Sequence, residues 1–352
     1  MIRDCIQKLI DGTDLSIYEA TQTMQEVISG DATNAQTGAL LTALRIKGES
    51  VEEITAFVNV LKRQCLQIMP KVQGRLVDTC GTGGDKIKTF NVSTAAAFVI
   101  AGAGVPVAKH GNCAVTSKSG SADVLEFFGL NLSLAPQVVQ ETIERVGIGF
   151  MFAPIFHPAM KFALRTRKEI GIRTVFNILG PLTNPANAAG QLLGVYDERL
   201  VMPLANVLNE LGCREAMVVH GLDGLDEIST LGRTCIAHLR DGQVHKLEVG
   251  PEFFGVKRAD AVDLKVASIE ESAKNIYRIL AGVDLRDPKT ELVLVNSAAG
   301  IIVGGRADSF LEAMQMAQES ILSGAACDKL RELISASGGS LENFEELQSK
   351  YA

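Results

Sequence analysis

The first 70 residues carry apolar positions three or four residues apart, a spacing that predicts amphipathic helices. Each predicted helix begins at a capping box, in which a hydroxyl and a carboxyl or amide group three residues later satisfy backbone N–H groups reciprocally. The three boxes occupy residues 16–19, 33–36 and 50–53. Gly30 and Gly48 stand where the first two helices should end. Three short helices rarely bury enough surface alone, so we expect this helical unit to pack against the rest of the chain or a second subunit.

Beyond residue 73, short β-like runs alternate with helical patterns. The predicted strands are residues 75–79, 104–109, 149–152, 191–196 and 215–220, and the predicted helices are residues 123–128, 136–146, 158–170 and 198–211. Strands that alternate with helices indicate a mostly parallel sheet, in which ligands bind at the carboxyl ends of the strands. Two further runs, 235–240 and 244–249, flank Asp241 and Gly242, a hairpin turn sequence. The chain is helical again from Ser268.

These patterns predict an α/β fold with two domains. A small all-helical N-terminal domain spans residues 1–72, and a larger α/β domain with a mostly parallel central sheet spans residues 73–352. Some later helices could join the first domain, which would form one wall of a cleft. A segment rich in turn residues, 173–185, is expected to follow a path fixed by its prolines.

Composition excludes several classes of protein. The 352 residues are 47% hydrophobic and 21% charged, as in ordinary soluble proteins. A net charge of −7 argues against a general nucleic-acid binder, which needs a basic face. No apolar run is long enough for a membrane span, and the N-terminus lacks the apolar centre of a signal peptide. Seven cysteines without a Cys-x-x-Cys pair fit reduced thiols, so we expect a cytoplasmic protein.

A glycine-rich loop follows the first predicted strand. Its sequence, Gly-Thr-Gly-Gly-Asp at residues 81–85, allows a sharp turn whose N–H groups can face an anion. A helix start at residues 91–94 follows, and helix N-termini favour phosphate. The loop is neither a dinucleotide fingerprint nor a P-loop. The alternative interpretation is an ordinary tight turn followed by a helix cap.

A second loop of similar character favours the phosphate interpretation. Residues 109–112, Lys-His-Gly-Asn, end the next predicted strand and lead to a hydroxyl-rich helix entry at residues 117–121. Lys109 offers a point charge for an oxyanion, and Asn112 can donate and accept hydrogen bonds. Two neighbouring loops of this type indicate a ligand that carries phosphates at two ends.

An acidic loop follows the strand that ends at His220. It holds three carboxylates, Asp223, Asp226 and Glu227. Such hard oxygen ligands suit Mg²⁺, which also binds substrate phosphates. The alternative is a solvated turn, and zinc is not expected because no His/Cys cluster accompanies the loop. Elsewhere, Arg167 could pair with a carboxylate in a two-pronged contact, and no Ser-His-Asp or Cys-His triad has suitable spacing.

Seven motifs together resemble the anthranilate phosphoribosyltransferase family, and their order and spacing agree along the whole chain. The motifs are residues 81–85, 91–94, 109–112, 119–123, 157–161, 173–185 and 223–227. The resemblance implies transfer of the phosphoribosyl group of 5-phosphoribosyl 1-diphosphate (PRPP) to anthranilate with release of pyrophosphate, in tryptophan biosynthesis. It also implies Mg²⁺ as cofactor and a homodimer formed through the helical domain. Contact with anthranilate synthase as a separate chain stays open.

The resemblance also implies residue roles. PRPP would be bound by Gly81, Gly84, Asp85, Thr89, Asn91, Val92, Ser93, Thr94, Lys109, His110, Gly111, Asn112, Ser117 and Ser121. Anthranilate would be bound by Gly81, Asn112, His157 and Arg167, and Mg²⁺ by Ser93, Asp226 and Glu227. One position departs from the family pattern: Cys113 stands where relatives usually carry Arg or Lys. The loss of that positive charge would weaken PRPP binding.

Two other functions remain as alternatives. A pyrimidine-nucleoside phosphorylase would share the architecture, but the Lys-His-Gly-Asn and Asp-Glu motifs match the transferase better. A non-catalytic relative that binds nucleic acid should have a basic surface and broken phosphate loops. The acidic charge and intact loops of this chain argue against it.

Overall fold

The computed structural model describes residues 1–84, 87–114 and 119–351. Two of the predicted PRPP ligands, Asp85 and Ser117, lie outside these residues. Within them the chain forms an N-terminal group of helices followed by an α/β arrangement, as the sequence predicts. No helix in the described part of the chain has the length and apolar character needed to cross a membrane.

The N-terminal helices are α1 (Ile2–Ile10), α2 (Ile17–Ser29), α3 (Asn34–Lys47) and α4 (Val51–Gln64). Three of the four begin where the sequence predicts, and two of them end at the predicted glycines, whereas α1 was not predicted. All three predicted capping boxes form. Gly30 closes α2 in the left-handed conformation, at φ 82°, and Gly48 follows α3 at φ 87°. These local hydrogen bonds explain why the boundaries were readable from the sequence.

The remaining chain forms seven strands and thirteen further helices among the residues described. The strands are β1 (Val77–Gly81), β2 (Val107–Gly111), β3 (Ile148–Phe152), β4 (Gly190–Gly194), β5 (Glu215–Gly221), β6 (Thr234–Arg240) and β7 (Gln243–Val249). The helices are α5 (Val92–Gly102), α6 (Ser121–Phe127), α7 (Pro136–Val146), α8 (Ala153–Phe156), α9 (Lys161–Ile170), α10 (Phe176–Leu182), α11 (Val201–Glu210), α12 (Ala261–Leu264), α13 (Ile269–Leu280), α14 (Pro288–Val303), α15 (Phe310–Leu322), α16 (Ala325–Ala336) and α17 (Glu342–Tyr351).

The strands form one sheet in the order β3-β2-β1-β4-β5-β6-β7. The first five strands of this order are parallel, and β6 and β7 are antiparallel. The predicted hairpin between β6 and β7 is confirmed: Asp241 and Gly242 both have positive φ, 52° and 75°. The chain winds outward from β1 to β3 in one direction and from β4 to β7 in the other.

The two faces of the sheet are covered by different helices. One face packs against the mostly apolar α5, which is enclosed by helices α13 to α16. The other face, through residues such as Leu193 and Val218, packs against α11, which in turn contacts α4. Helix α9 contacts α2 and α3, so a later helix joins the N-terminal group. The helical unit and this face of the sheet therefore share one apolar core.

Two expectations about local structure were wrong. Strands β1 and β2 lie two or three residues later than predicted and run into Gly81 and Gly111, because pairing with β4 and β3 extends to those glycines. The segment 173–185 contains helix α10, although Pro181 lies inside it. Burial of Phe176 and Leu179 holds this helix, and Pro181 in its last turn removes only one helical hydrogen bond.

Candidate active site

The site residues meet where β1 and β4 lie side by side. At this point the order of strands reverses, because the chain leaves β1 toward β2 and leaves β4 toward β5. Loops that follow the two strands therefore diverge and leave a crevice at their carboxyl ends, the usual ligand position in such sheets. The loop after β1, the residues after β4 and the acidic loop after β5 all reach this crevice.

The loop after β1 turns through two glycines in the left-handed region. Gly83 and Gly84 have φ 68° and 88°. The Thr82 N–H donates to the Gly194 carbonyl at 2.9 Å, which fixes the loop on β4. The Gly83 N–H donates to Asp226 Oδ2 at 2.8 Å. A carboxylate thus already lies where the sequence predicts that backbone N–H groups face an anion.

The acidic loop packs directly on the ends of β1 and β4. A Cβ atom on Gly81 would lie 2.6 Å from Asp226 Oδ2, and one on Gly194 would lie 1.6 Å from the Asp226 carbonyl oxygen. Only glycine fits at both positions. The absence of two side chains therefore brings Asp226 against the carboxyl end of the sheet.

The three acidic residues of this loop have different roles. Asp223 accepts hydrogen bonds from the Ser229 hydroxyl at 2.6 Å and from the Leu225 N–H at 3.2 Å, so it shapes the turn. Asp226 faces the glycine loop, and the adjacent Glu227 is only 8% exposed. Asp223 therefore stabilises the turn, whereas Asp226 and the adjacent Glu227 lie at the crevice.

The sequence analysis missed Asn296, a buried residue that holds the backbone of the acidic loop in place. Asn296, fully buried in α14, accepts from the Ile228 N–H at 2.9 Å and donates to the Ile228 carbonyl at 3.0 Å. It thereby satisfies the backbone of the residue next to Glu227. The signal available in the sequence was a lone amide within an apolar helix, because a buried polar side chain needs a partner.

Lys109 is buried at the centre of the site rather than exposed to a ligand. It is 3% exposed, and its Nζ donates to the Thr79 carbonyl at 2.6 Å and to Ser93 Oγ at 3.4 Å. Burial lowers the pKa of Lys109, while the carboxylates of Asp78 and Glu227 oppose that shift. The ammonium group therefore joins the end of β1 to the start of α5 and lies near Glu227.

His110 and His157 are brought together although they are 47 positions apart in the chain. Their ring centroids are 4.9 Å apart, both rings are buried, and Nε2 of each has no hydrogen-bond partner among the described residues. Burial, with the neighbouring His157 as a second cause, lowers the pKa of His110 to about 3. Burial lowers the pKa of His157 to about 4. Both imidazoles are neutral at pH 7.

This neutral pair predicts acid sensitivity. Below about pH 6.5 the unfolded chain protonates both histidines, whereas the folded chain does so only near their pKa values of about 3 and 4. The unfolded state thus binds more protons. As the pH falls below about 6.5, the free energy of unfolding therefore decreases by up to about 1.4 kcal/mol per pH unit for each histidine. Urea unfolding followed by circular dichroism between pH 7.5 and 4.5 measures this slope.

The contribution of the pair is isolated by two variants. His157→Gln should lower the slope, whereas His245→Gln, which changes an exposed histidine of the hairpin, should leave it unchanged. Equal slopes in the wild-type protein and His157→Gln would contradict the assignment.

Several predicted PRPP residues have structural partners in the chain. The Asn91 amide accepts from the hydroxyls of Ser119 and Ser272, each at 2.8 Å, and donates to the Ser119 carbonyl. It therefore ties the start of α5 to the second loop and to α13. Val92 and Thr94 are buried in α5. Thr89 forms an isolated bridge with Lys265.

The residues on either side of the second loop contact each other. The Ser121 hydroxyl donates to the Asn112 carbonyl at 3.4 Å, next to Gly111, where a Cβ would lie 2.2 Å from Ser121 Oγ. The Asn112 side-chain oxygen accepts from the Cys113 N–H. Burial and the neighbouring Asp123 raise the pKa of Cys113 to about 11, so its thiol supplies no charge.

Two arginines of the α9–α10 region have different contacts, and one of them touches the glycine loop. Arg167 lies over the Phe176 ring, 5.2 Å from its centroid, and forms no ion pair with any described residue. Burial lowers the pKa of Arg167. Arg173, to which the sequence analysis gave no role, donates to the Gly84 carbonyl at 2.9 Å. Nothing in the sequence around Arg173 distinguishes it from an ordinary surface charge.

The donor set fits a hard cation. Asp226, Glu227 and the Ser93 hydroxyl offer only oxygen ligands, the type that Mg²⁺ prefers. In the part of the chain that the structure describes, no group of three or more His, Cys, Asp or Glu side chains could hold a metal ion. Mg²⁺ typically binds one or two carboxylates and completes its shell with waters and substrate phosphates.

Comparisons with known proteins show which family the chain resembles. Residues 73–327 match the family described as glycosyl transferase family, a/b domain, and residues 3–65 match its helical bundle domain. The chain is 52% identical to anthranilate phosphoribosyltransferase of Methanocorpusculum labreanum over 96% of this chain and 99% of that protein. The enzyme of Acetivibrio thermocellus is 50% identical over 95% of this chain and 96% of that protein.

Solved structures show the same likeness. The structure of anthranilate phosphoribosyltransferase from Thermus thermophilus superposes with a TM-score of 0.89, at 38% identity, over 95% of this chain and 99% of that one. The Saccharomyces cerevisiae enzyme in complex with PRPP and Mg superposes with a TM-score of 0.87, at 28% identity, over 96% and 98% of the two chains.

Proposed function

The chain belongs to the anthranilate phosphoribosyltransferase family, and from that premise we propose that it transfers the 5-phosphoribosyl group of PRPP to the amine of anthranilate. The products are N-(5-phosphoribosyl)anthranilate and pyrophosphate, in tryptophan biosynthesis. The observation that carries the proposal is the contact between the glycine loop after β1 and Asp226 of the acidic loop, at the strand switch point. There an anion-binding turn and carboxylate ligands for Mg²⁺ face each other.

PRPP would bind with its diphosphate at the loop after β1 and its 5-phosphate at the second loop. The supporting features are the left-handed turn at Gly83 and Gly84 and the N-terminus of α5, whose backbone donors favour phosphate. The proposed ligands include Asp85 and Ser117, together with Gly81, Thr89 and Ser93, the loop 109–112, and Ser121. The roles of Asn91 and Lys109 would be to hold the loops in place, because their side chains are bonded within the chain.

The reaction needs stabilisation of a leaving group more than it needs a base. Mg²⁺ bound by Asp226, Glu227 and Ser93 would neutralise charge on the departing pyrophosphate. The ribose carbon then develops oxocarbenium character, and backbone N–H groups of the loops stabilise the negative charge that leaves. The anthranilate amine is already neutral at pH 7, so orientation of the two substrates supplies much of the rate.

Anthranilate would bind beside Gly81, Asn112, His157 and Arg167. Because both histidines are neutral at pH 7, the positive charge available to the carboxylate is that of Arg167. Its half-buried guanidinium, which has no acidic partner among the described residues, is suited to a two-pronged contact with a carboxylate.

Arg167→Ala should therefore raise the Michaelis constant for anthranilate by about 10- to 100-fold, the cost of one charge-assisted contact. The constant for PRPP should change much less. Arg165→Ala is the matched control, because Arg165 lies on the same helix, is exposed and pairs with Glu169 at 2.8 Å. Steady-state kinetics with each substrate varied in turn gives both constants, and equal increases in the two would contradict the assignment.

We also propose the division into residues 1–72 and 73–352 and a homodimer formed through the helical part. The support is a set of exposed apolar side chains on the first helices and on α9: Ile10, Ile17, Tyr18, Ile46 and Phe162. Light scattering after gel filtration measures the mass, and a monomer would contradict the dimer. A cytoplasmic location and a contact with anthranilate synthase stay predictions.

The proposed activity is tested by the fluorescence of anthranilate. The protein is mixed with anthranilate, PRPP and Mg²⁺, and each component is omitted in turn. A loss of emission that requires all components supports the transferase. No loss with protein shown to be folded by circular dichroism would overturn the proposal, and release of thymine from thymidine and phosphate would instead support a phosphorylase.

A further inference from the structure

Arg173 makes two contacts at the rim of the crevice. Its Nη2 donates to the Gly84 carbonyl at 2.9 Å, and its guanidinium carbon lies 4.3 Å from the centroid of the Tyr196 ring. Arg173 itself is exposed and lies three positions before the first residue of α10. Two contacts of this kind fix an otherwise mobile side chain, because the planar guanidinium stacks on the ring while its edge donates a hydrogen bond.

Gly84 is shaped to receive this guanidinium. A Cβ atom on Gly84 would lie only 1.9 Å from Arg173 Nη2 and 2.5 Å from Cζ. At φ 88°, Gly84 also has a backbone conformation that other residues rarely adopt. The second glycine of the turn therefore serves two purposes: it permits the left-handed turn and leaves room for Arg173.

Tyr196 is a fixed support for the guanidinium. It lies two residues after the end of β4 and is half-buried, and its N–H donates to the Thr82 hydroxyl at 3.0 Å. Thr82 and Gly84 are thus both tied to the exit of β4, the first directly and the second through Arg173. Arg45 and Glu49, at the end of α3 and just beyond it, lie close enough to influence the pKa of Tyr196, which burial raises. Tyr196 therefore lies between the helical unit and the sheet.

We propose that Arg173 is a positioning residue that clamps the Thr82–Gly84 turn onto Tyr196 and so presets the turn for the diphosphate of PRPP. The proposal rests on the proposed function for the identity of the ligand. Arg173 holds a carbonyl of the turn, which fixes the orientation of the adjacent peptide groups. Without this contact the glycines would sample many conformations, and ligand binding would have to restrict them.

Lysine and arginine should differ at this position in a defined way. Lysine can still donate to the Gly84 carbonyl, but its ammonium group has no planar face to stack on Tyr196. Arg173→Lys should therefore recover part of the effect of Arg173→Ala. Tyr196→Leu should weaken the clamp while the Tyr196 N–H contact with Thr82 is retained, because that contact uses only the backbone.

The first test uses the protein without ligand. Hydrogen–deuterium exchange followed by mass spectrometry should show faster exchange in the peptide that contains residues 82–84 in Arg173→Ala than in the wild-type protein. Arg331→Ala is the matched control, because Arg331 is exposed on α16 and pairs only with Asp328 on its own helix among the residues described. Unchanged exchange in Arg173→Ala would overturn the clamp whatever the protein binds or catalyses.

The second test measures binding of PRPP with Mg²⁺ by calorimetry, with no anthranilate present. We expect the dissociation constant to rise about tenfold in Arg173→Ala, less in Arg173→Lys, and not at all in Arg331→Ala. In steady state the Michaelis constant for PRPP should rise while kcat stays within about twofold, and the constant for anthranilate should stay nearly constant. An equal rise of the Michaelis constants for PRPP and anthranilate would overturn the proposal. So would a dissociation constant for PRPP in Arg173→Lys as high as in Arg173→Ala.

Failure of the proposed transferase function gives different results from failure of the clamp. If the wild-type protein binds PRPP but does not consume anthranilate, the transferase proposal fails while the exchange and PRPP-binding results still decide the clamp. If the wild-type protein does not bind PRPP, the assignment of the turn to a diphosphate is overturned together with the transferase.

Discussion

The double variant Asp226→Asn with Glu227→Gln is expected to lower Mg²⁺-dependent turnover by at least about 100-fold, because both carboxylate ligands of the metal become neutral amides. The fold should survive, since an asparagine at 226 can still accept the hydrogen bond from the Gly83 N–H. Rates measured from anthranilate fluorescence over a range of Mg²⁺ concentrations give the effect. Each single variant should require more Mg²⁺ than the wild-type protein for half-maximal rate.

Asp223→Asn is the matched control within the same loop. Asp223 accepts from the Ser229 hydroxyl at Oδ2 and from the Leu225 N–H at Oδ1. In asparagine the oxygen can still accept from the Leu225 N–H, while the amide N–H donates to the Ser229 hydroxyl, which can also act as an acceptor. We therefore expect turnover within about threefold of the wild-type value, the size of a small perturbation of transition-state stabilisation. Retention of wild-type turnover at low Mg²⁺ by the double variant would count against a metal role for Asp226 and Glu227.

Lys109→Met is expected to destabilise the protein by about 3–5 kcal/mol, because it removes the cation that compensates a buried carboxylate. Asp78 is fully buried, and in the part of the chain that the structure describes its Oδ2 has no hydrogen-bond partner. Burial raises the pKa of Asp78, while the charge of Lys109 opposes that shift. The free energy of unfolding from urea titrations at pH 7 measures the loss.

Removing both charges distinguishes structural support from ligand binding. Lys109→Met with Asp78→Asn should regain more than half of the lost stability, because no unpaired buried charge remains. Lys246→Met is the control, since Lys246 lies on the exposed strand β7 and pairs with Glu198 at the surface. If the double variant is as unstable as Lys109→Met, Lys109 does not act through Asp78. If it is stable but binds PRPP like the wild-type protein, Lys109 makes no essential contact with the ligand.

The outline of the fold was readable from the sequence because its signals are local. The capping boxes at the starts of α2, α3 and α4 and the positive φ of Asp241 and Gly242 involve groups no more than three residues apart. The alternation of strands and helices predicted a mostly parallel sheet, and the structure confirms it. The segment around α10 was misjudged because burial of Phe176 and Leu179, which is not local, overrides the effect of Pro181.

Within the site, the sequence by itself determined which loops carry the chemistry, and the tertiary structure decided what each side chain does. Asp223 and Asp226 are three positions apart and chemically identical, yet one shapes a turn and the other faces β1. Lys109 could equally have met a phosphate, but its ammonium group is held by Thr79 and Ser93. Asn296 and Arg173 gained roles only through Ile228 and Gly84, which are 68 and 89 positions away. Spacing along a chain fixes hydrogen bonds within a turn, whereas burial, charge compensation and contacts between distant segments exist only once the sheet has brought those segments together.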